Sequence, residues 1–240
     1  MTVPNPYFEV YPVLQHDGDM YHRMKPSALL RYTQQIATTH AAKLGLDSAF
    51  YRDNHLAFLL AKQALEFTRI PEVDEVLTYT TYPEQSRRAS YKRVTIVTDE
   101  QGREVACVDS RWILVDTDTR RIVRRPPAVM EGLWLPEVER TLDQIVPKAE
   151  TLRDGGVRRA DYSMCYTNGQ MNNTNYIDLA CDLIDPQRLK AGGVRRVTVC
   201  YHREIPYGEM VALQIGNVQN GVYVCGTRDG LPAFEAYCGF

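Results

Sequence analysis

The sequence predicts an α+β protein made of two copies of one unit, each a helix lying on a curved antiparallel sheet. Three observations carry that expectation. One long amphipathic helical stripe near the N-terminus is followed only by strand-like segments and turns. The same order, helix and then strands, resumes after Val157. Stretches of the first half also lie over stretches of the second, in order and at shrinking offsets. Asp19-Met-Tyr-His-Arg-Met24 lies over Tyr166-Thr-Asn-Gly-Gln-Met171 at an offset of 147 (166 minus 19). Phe67-Thr-Arg-Ile70 lies over Tyr201-His-Arg-Glu204, and Asp74-Glu75 over Gly208-Glu209, at 134 (201 minus 67). Gly102 to Cys107 lies over Gly230 to Glu235 at 128 (230 minus 102). A longer first helix and the loop after it absorb the largest step.

The elements follow in order. Tyr7–Gln15 alternates as a strand and ends in the polar turn His16-Asp-Gly-Asp. Pro26 suits the first turn of a helix, and Leu29, Leu30, Thr33, Ile36, Ala37, His40, Ala41 and Leu44 hold a helical stripe that Gly45 ends. Leu56–Ile70, Val76–Tyr82, Ala89–Thr98 and Val105–Asp116 read as strands, parted by Pro71 to Asp74, Pro83-Glu84 and Asp99 to Gly102. Arg124 to Gly156 has four prolines and little period, so it reads as an ordered linker. The division that follows is 1–130, a linker at 131–149, and 150–240. In the second unit Val157–Tyr166 reads as a strand, and Ile177, Ala180, Cys181 and Ile184 mark one helix face. Asp185-Pro186 and Gly192-Gly193 act as breakers. Val194–Ile205, Met210–Gln219, Val222–Thr227 and Ala233–Phe240 complete the strands.

Composition excludes several classes. A chain of 240 residues with 44% hydrophobic and 24% charged residues can bury a core and is not disordered by composition. A net charge of −2 gives no electrostatic reason to expect nucleic acid. No run approaches the ~18 apolar residues of a membrane span, and no basic start precedes an apolar block. Cys107, Cys165, Cys181, Cys200, Cys225 and Cys238 are scattered without metal-ligand spacing, so they read as reduced thiols of a cytoplasmic protein with no metal and no cofactor.

The most informative stretch is Tyr166-Thr-Asn-Gly-Gln-Met-Asn-Asn-Thr-Asn-Tyr176, polar residues crowded into a Gly-containing turn that opens a helix. Asn172, Asn173, Thr174 or Asn175 can supply the N-cap, and backbone donors at a helix start suit a partly negative oxygen. A capped helix with a polar lead-in explains the same residues.

These features together resemble the acyl-acyl-carrier-protein thioesterases, which are tandem (double) hotdog proteins. The first half carries the likeness in Arg23-Met-Lys-Pro-Ser-Ala-Leu-Leu-Arg-Tyr-Thr-Gln34 and Arg69-Ile-Pro-Glu-Val-Asp-Glu-Val76. The second carries it in Asn168 to Tyr176 and in Tyr201-His-Arg-Glu204. The family's pattern, Asp-x-Asn-x-His-Val-Asn-Asn with a later Glu, places its asparagines on Asn168, Asn172 and Asn173 and its glutamate on Glu204. Its Asp position holds Tyr166 and its His position holds Gln170.

The resemblance implies hydrolysis of a fatty acyl thioester on acyl carrier protein, with a tunnel in the first half and catalysis in the second. Glu204 is then the base that activates water, and Asn168, Gln170 and the helix start bind the thioester carbonyl. Tyr166, Asn172 and Asn173 contact substrate. Glu204 reads equally as a salt-bridged strand residue beside Arg203, and Tyr166 as a core aromatic. The replaced Asp and His positions motivate the alternative of a non-hydrolytic acyl-thioester or carrier-binding protein. A hotdog dehydratase or isomerase ranks below both, for want of a His in the matched set. An acidic carrier would dock on clustered arginines such as Arg195-Arg196, and a homodimer is compatible with this plan. The cluster of His16, Asp17, Asp19 and His22 reads as an acidic turn cap, and His40 as a satisfied core histidine.

Overall fold

The computed structural model describes residues 6–87 and 89–240. Arg88, which with Arg87 makes another of the clustered arginine pairs, lies outside them. The first strand, β1 (Tyr7–Pro12), turns Tyr7, Glu9 and Tyr11 inward and Phe8 and Val10 outward. It is shorter than the alternation suggested, because Gln15–Asp17 already forms a 3-10 turn. Helix α1 (Pro26–Lys43) starts at a proline, which needs no helical hydrogen-bond partner in the first turn. It buries Leu29, Leu30, Thr33, Ile36 and His40 of the expected stripe. A short helix α2 (Ser48–Asp53), not anticipated, is capped by Asp47 accepting from the Phe50 N–H.

Strands β2 (Leu56–Phe67), β3 (Val76–Pro83), β4 (Ser90–Thr98) and β5 (Glu104–Asp116) follow. The second half has β6 (Arg153–Arg159), α3 (Asn175–Cys181), α4 (Pro186–Gly192), β7 (Arg196–Tyr201), β8 (Met210–Val218), β9 (Gly221–Arg228) and β10 (Leu231–Gly239). Two expectations are corrected here. The strand placed at Val157–Tyr166 lies earlier, because Asp161 opens a 3-10 turn at Tyr162–Met164. Asp185-Pro186 starts a helix rather than only breaking one, since Asp185 accepts from the Gln187 N–H and Pro186 takes the first helical position.

Among the described residues, ten strands form one antiparallel sheet in the order β1-β3-β4-β5-β2-β7-β10-β9-β8-β6. This is a tandem hotdog. The order is its own mirror about the β2–β7 junction, where Lys62 faces Cys200 and Glu66 faces Arg196. The repeat extends to single hydrogen bonds. Met24 N–H donates to the Pro71 carbonyl and Met171 N–H to the Ile205 carbonyl, each at 2.8 Å, offset by 147 and 134. Isolated bridges Gly18–Met24 and Cys165–Met171 repeat the first offset.

Helices α1 and α3 pack on the inner face, joined by the 2.6 Å ion pair of Arg31 with Asp178. The segment after β5 crosses the outer face. There Lys92 Nζ donates to the Val138 carbonyl and Thr141 Oγ1 at 2.9 Å, and Leu142 packs with Ala64, Val94 and Cys107. Lys92 is also ion-paired at 3.1 Å with Glu84, both side chains nearly buried. Among the described residues no helix is long and apolar enough to cross a membrane.

Candidate active site

The site grows from the turn before α3. Gly169 has φ +77, which a side chain would strain, and its N–H closes the turn on the Tyr166 carbonyl at 2.8 Å. Tyr166 N–H in turn donates to the Gln170 carbonyl at 3.1 Å. The turn is held against the chain after β7, because Met171 N–H reaches the Ile205 carbonyl and Tyr207 N–H the Gly169 carbonyl. That clasp brings Tyr166, Asn168 and Gln170 to Glu204, 34 residues beyond Gln170.

Gln170 Nε2 donates to Glu204 Oε1 at 3.1 Å and lies 3.4 Å from the Tyr166 hydroxyl. Asn168 Nδ2 donates to the same hydroxyl at 2.9 Å. Facing a carboxylate, the Gln170 amide must present its NH₂ side. Arg228 anchors this segment by donating to the Glu204 carbonyl at 2.7 Å. Asn172 is used otherwise: its Oδ1 accepts from Thr174 N–H and Oγ1 at 2.9 and 2.8 Å and so shapes the lead into α3. Asn173 offers its carbonyl to the Tyr201 hydroxyl at 3.1 Å. Burial holds the Tyr176 and Tyr201 phenols above their usual range, so both stay protonated.

All six expected residues line one cavity of about 1310 Å³. It runs from this polar end into the first half, where Ala37, Ala41, Leu46, Phe58 and Leu60 form its apolar wall. Sequence reasoning missed the aromatic box at that end. There Tyr91 packs edge-on to Phe58 at 4.9 Å and lies 5.6 Å from Trp134. Trp134 comes from the segment read as linker, and no periodicity marks it. Of the carboxylates lining the cavity, Asp47 caps α2 and Glu84 is tied to Lys92 and to the Val138 N–H. Glu204 alone of the three accepts from a side-chain amide, that of Gln170.

The first-half cluster does something different. Asp17 accepts from the Leu14 N–H and the Tyr32 hydroxyl, and Asp19 from the Tyr21 and Arg23 N–H groups. Both are turn caps. Arg195 and Arg196 lie away from the polar end of the cavity. Arg196 opens β7 and Tyr201 closes it, so five residues, about 17 Å, separate the pair from the site end of the strand. The exposed arginines that do line the cavity are Arg52, Arg120 and Arg203.

The sequence models of the acyl-ACP thioesterase N-terminal and C-terminal domains match residues 4–133 and 147–228. The chain belongs to the acyl-ACP thioesterase family. Over 227 residues it is 24% identical to the oleoyl-acyl carrier protein thioesterase 2, chloroplastic, of Arabidopsis thaliana, covering 85% of this chain but 61% of that relative's length. Among solved structures, an acyl-ACP thioesterase from Bacteroides thetaiotaomicron superposes with a TM-score of 0.88 at 19% identity, over 98% of this chain and 97% of that one. A 12:0-ACP thioesterase from Umbellularia californica gives 0.83 at 15%, over 98% and 96%. In this thioesterase-family chain the cluster at the cavity's polar end is therefore Tyr, Asn, Gln and Glu.

Proposed function

We propose that the protein hydrolyses a fatty acyl thioester carried on acyl carrier protein, giving a free fatty acid and the carrier thiol. The observation that carries this is the 3.1 Å contact of Gln170 with Glu204 at the polar end of the long apolar cavity. Residues 150–240 would supply the chemistry and residues 1–130 the acyl tunnel.

Glu204 is the base. Gln170 holds Oε1 and leaves Oε2 to take a proton from the attacking water. The water oxygen bonds to the thioester carbon and the carbonyl oxygen becomes an oxyanion. Both Nε2 hydrogens of Gln170 point at protein oxygens, so Gln170 positions the base rather than holding the carbonyl. The oxyanion donors are Asn168, through its second Nδ2 hydrogen, and Tyr166. The Tyr166 oxygen already receives Asn168 and lies near Gln170, which leaves its own O–H to point outward and strengthens it as a donor. Collapse breaks the C–S bond, and the proton on Glu204 passes to the departing sulfur.

An acidic carrier would dock on Arg52, Arg120 and Arg203 around the cavity's rim. The test is steady-state release of free thiol from a panel of acyl-carrier substrates, and turnover is the expected result. Tyr166 and Gln170 at the family's Asp and His positions favour a second reading, a binding protein that holds the acyl chain without cleaving it. Carrier binding with no thiol release would establish that one instead.

A further inference from the structure

The first-half end of the cavity contains a cation without a counter-ion. Arg93 on β4 lines the cavity, and its guanidinium Nη1 lies 3.1 Å from Thr81 Oγ1 and 3.3 Å from His40 Nδ1. Among the described residues no carboxylate lies within 4 Å of it. His40 supplies no charge, because burial and the Arg93 cation push its pKa down to about 4. Burial also pulls Arg93 down, to about 10, which still leaves it charged at neutral pH. The next residue shows the usual solution: Lys92, facing the other side of the strand, is paired with Glu84. A half-buried cation without its anion still carries a desolvation cost.

The neighbouring polar atoms have the same bias. The indole Nε1 of Trp112 and of Trp134 and the Gln34 Nε2 have no hydrogen-bond partner and lie enclosed in the wall of the cavity that these residues line. Trp112 sits diagonally from Arg93 on the β4–β5 ladder, since Arg93 faces Ser110 and Tyr91 faces Trp112. A chamber built only for a methyl-ended chain gains nothing from a half-buried cation at its far end. Three strand spacings (β4 to β5, β2 and β7), about 14 Å, separate Arg93's strand from the one leading to Glu204. A chain with its thioester at Glu204 would bring its far end here.

We propose that this cavity takes acyl chains bearing a carboxylate at their distal end, with Arg93 pairing that carboxylate. The substrate class is thus ω-carboxyacyl thioesters, and the proposal rests on the hydrolase reading above only for where the thioester lies.

The experiment compares carrier-bound dodecanoyl, ω-hydroxydodecanoyl and dodecanedioyl chains in two readouts. One is kcat/KM from thiol release. The other is binding to Glu204→Gln protein, followed by the fluorescence of Trp112 and Trp134, the chain's 2 tryptophans. Dodecanedioyl should be preferred over dodecanoyl by about 10- to 100-fold, the range for a hydrogen bond to a charged group. Arg93→Met should abolish that preference and leave dodecanoyl at least as good as before, while Arg93→Lys retains part of it. Equal handling of dodecanoyl and dodecanedioyl by the parent protein overturns the proposal, and so does an equal preference for the hydroxyl-ended chain. An equal loss for all three chains in Arg93→Met assigns Arg93 to holding Thr81 and His40 and also overturns it. If Arg93→Met does not fold, the parent's preference and Arg93→Lys decide. Preferred dodecanedioyl binding with no thiol release from any chain would refute the hydrolase and leave this inference standing.

Discussion

Replacing Glu204 with Gln isolates the base from everything else the residue does. The side chain is exposed, and its contact to a neighbour is the 3.1 Å bond from Gln170, which a glutamine Oε1 accepts equally well. The backbone carbonyl that Arg228 holds is unchanged by the substitution. Folding stability should therefore move by no more than about 0.5 kcal/mol, as for an ordinary surface site. On the proposed reading the acyl chain would lie along the apolar wall rather than on Glu204, so KM should hold. What disappears is the proton acceptor, worth ~10² to 10⁴ in rate, or about 2.7–5.5 kcal/mol of barrier. Thiol release under saturating acyl carrier substrate gives kcat, and a thermal melt of the same preparation checks the fold. A variant that melts like the parent and turns over at the parent's rate would refute Glu204 as base, and with it the water placement.

Three further outcomes follow from the geometry. Tyr166→Phe removes the outward hydroxyl and should lower kcat by ~10² to 10³, the cost of one oxyanion donor, with unchanged carrier binding; an unaffected kcat would assign the oxyanion to Asn168 alone. His40 makes stability depend on pH: its folded pKa of about 4 lies below the ordinary 6.5, so the unfolded chain takes up the proton first. Stability is full above pH 6.5 and falls as pH drops toward 4, by up to about 3 kcal/mol. Glu235 and Asp99, both drawn down to about 2 by hydrogen bonds that outweigh their burial, act below that window. Urea midpoints between pH 7.5 and 4.5 measure the slope, which His40→Gln should flatten. Arg203→Glu should weaken binding of acidic carrier and make the remainder less sensitive to salt, whereas Arg196→Glu, at the other end of β7, should not.

What could be read from the chain divides along a physical line. The repeat was legible because the same backbone bonds recur, and a positive-φ position recurs with them at Gly102 and Gly230. The stripe of α1 was legible because one face of a long helix must be buried. The grouping of Tyr166, Asn168 and Gln170 could be read from their neighbourhood in the chain. Glu204 joined them only through family likeness, since the clasp at Met171 and Ile205 is tertiary. Arg93 and Trp134 left no local signal: one sits on an ordinary strand, the other in a segment without period. The short helices α2 and α4 were missed because their caps, Asp47 and Asp185, look like turn residues. Their apolar stripes are too brief to register.

The mirror order of the sheet also bears on how such a chain could be divided. Each half ends at the same kind of edge, β2 in one and β7 in the other, and five facing residue pairs close the seam. Severed between the halves, each piece would expose a full row of backbone donors and acceptors on a strand made for an interior position. The covalent connection turns what would be bimolecular assembly into an intramolecular event at an effective concentration of roughly millimolar. The cavity that spans the halves would otherwise come and go with dilution. Joined, it persists at any protein concentration.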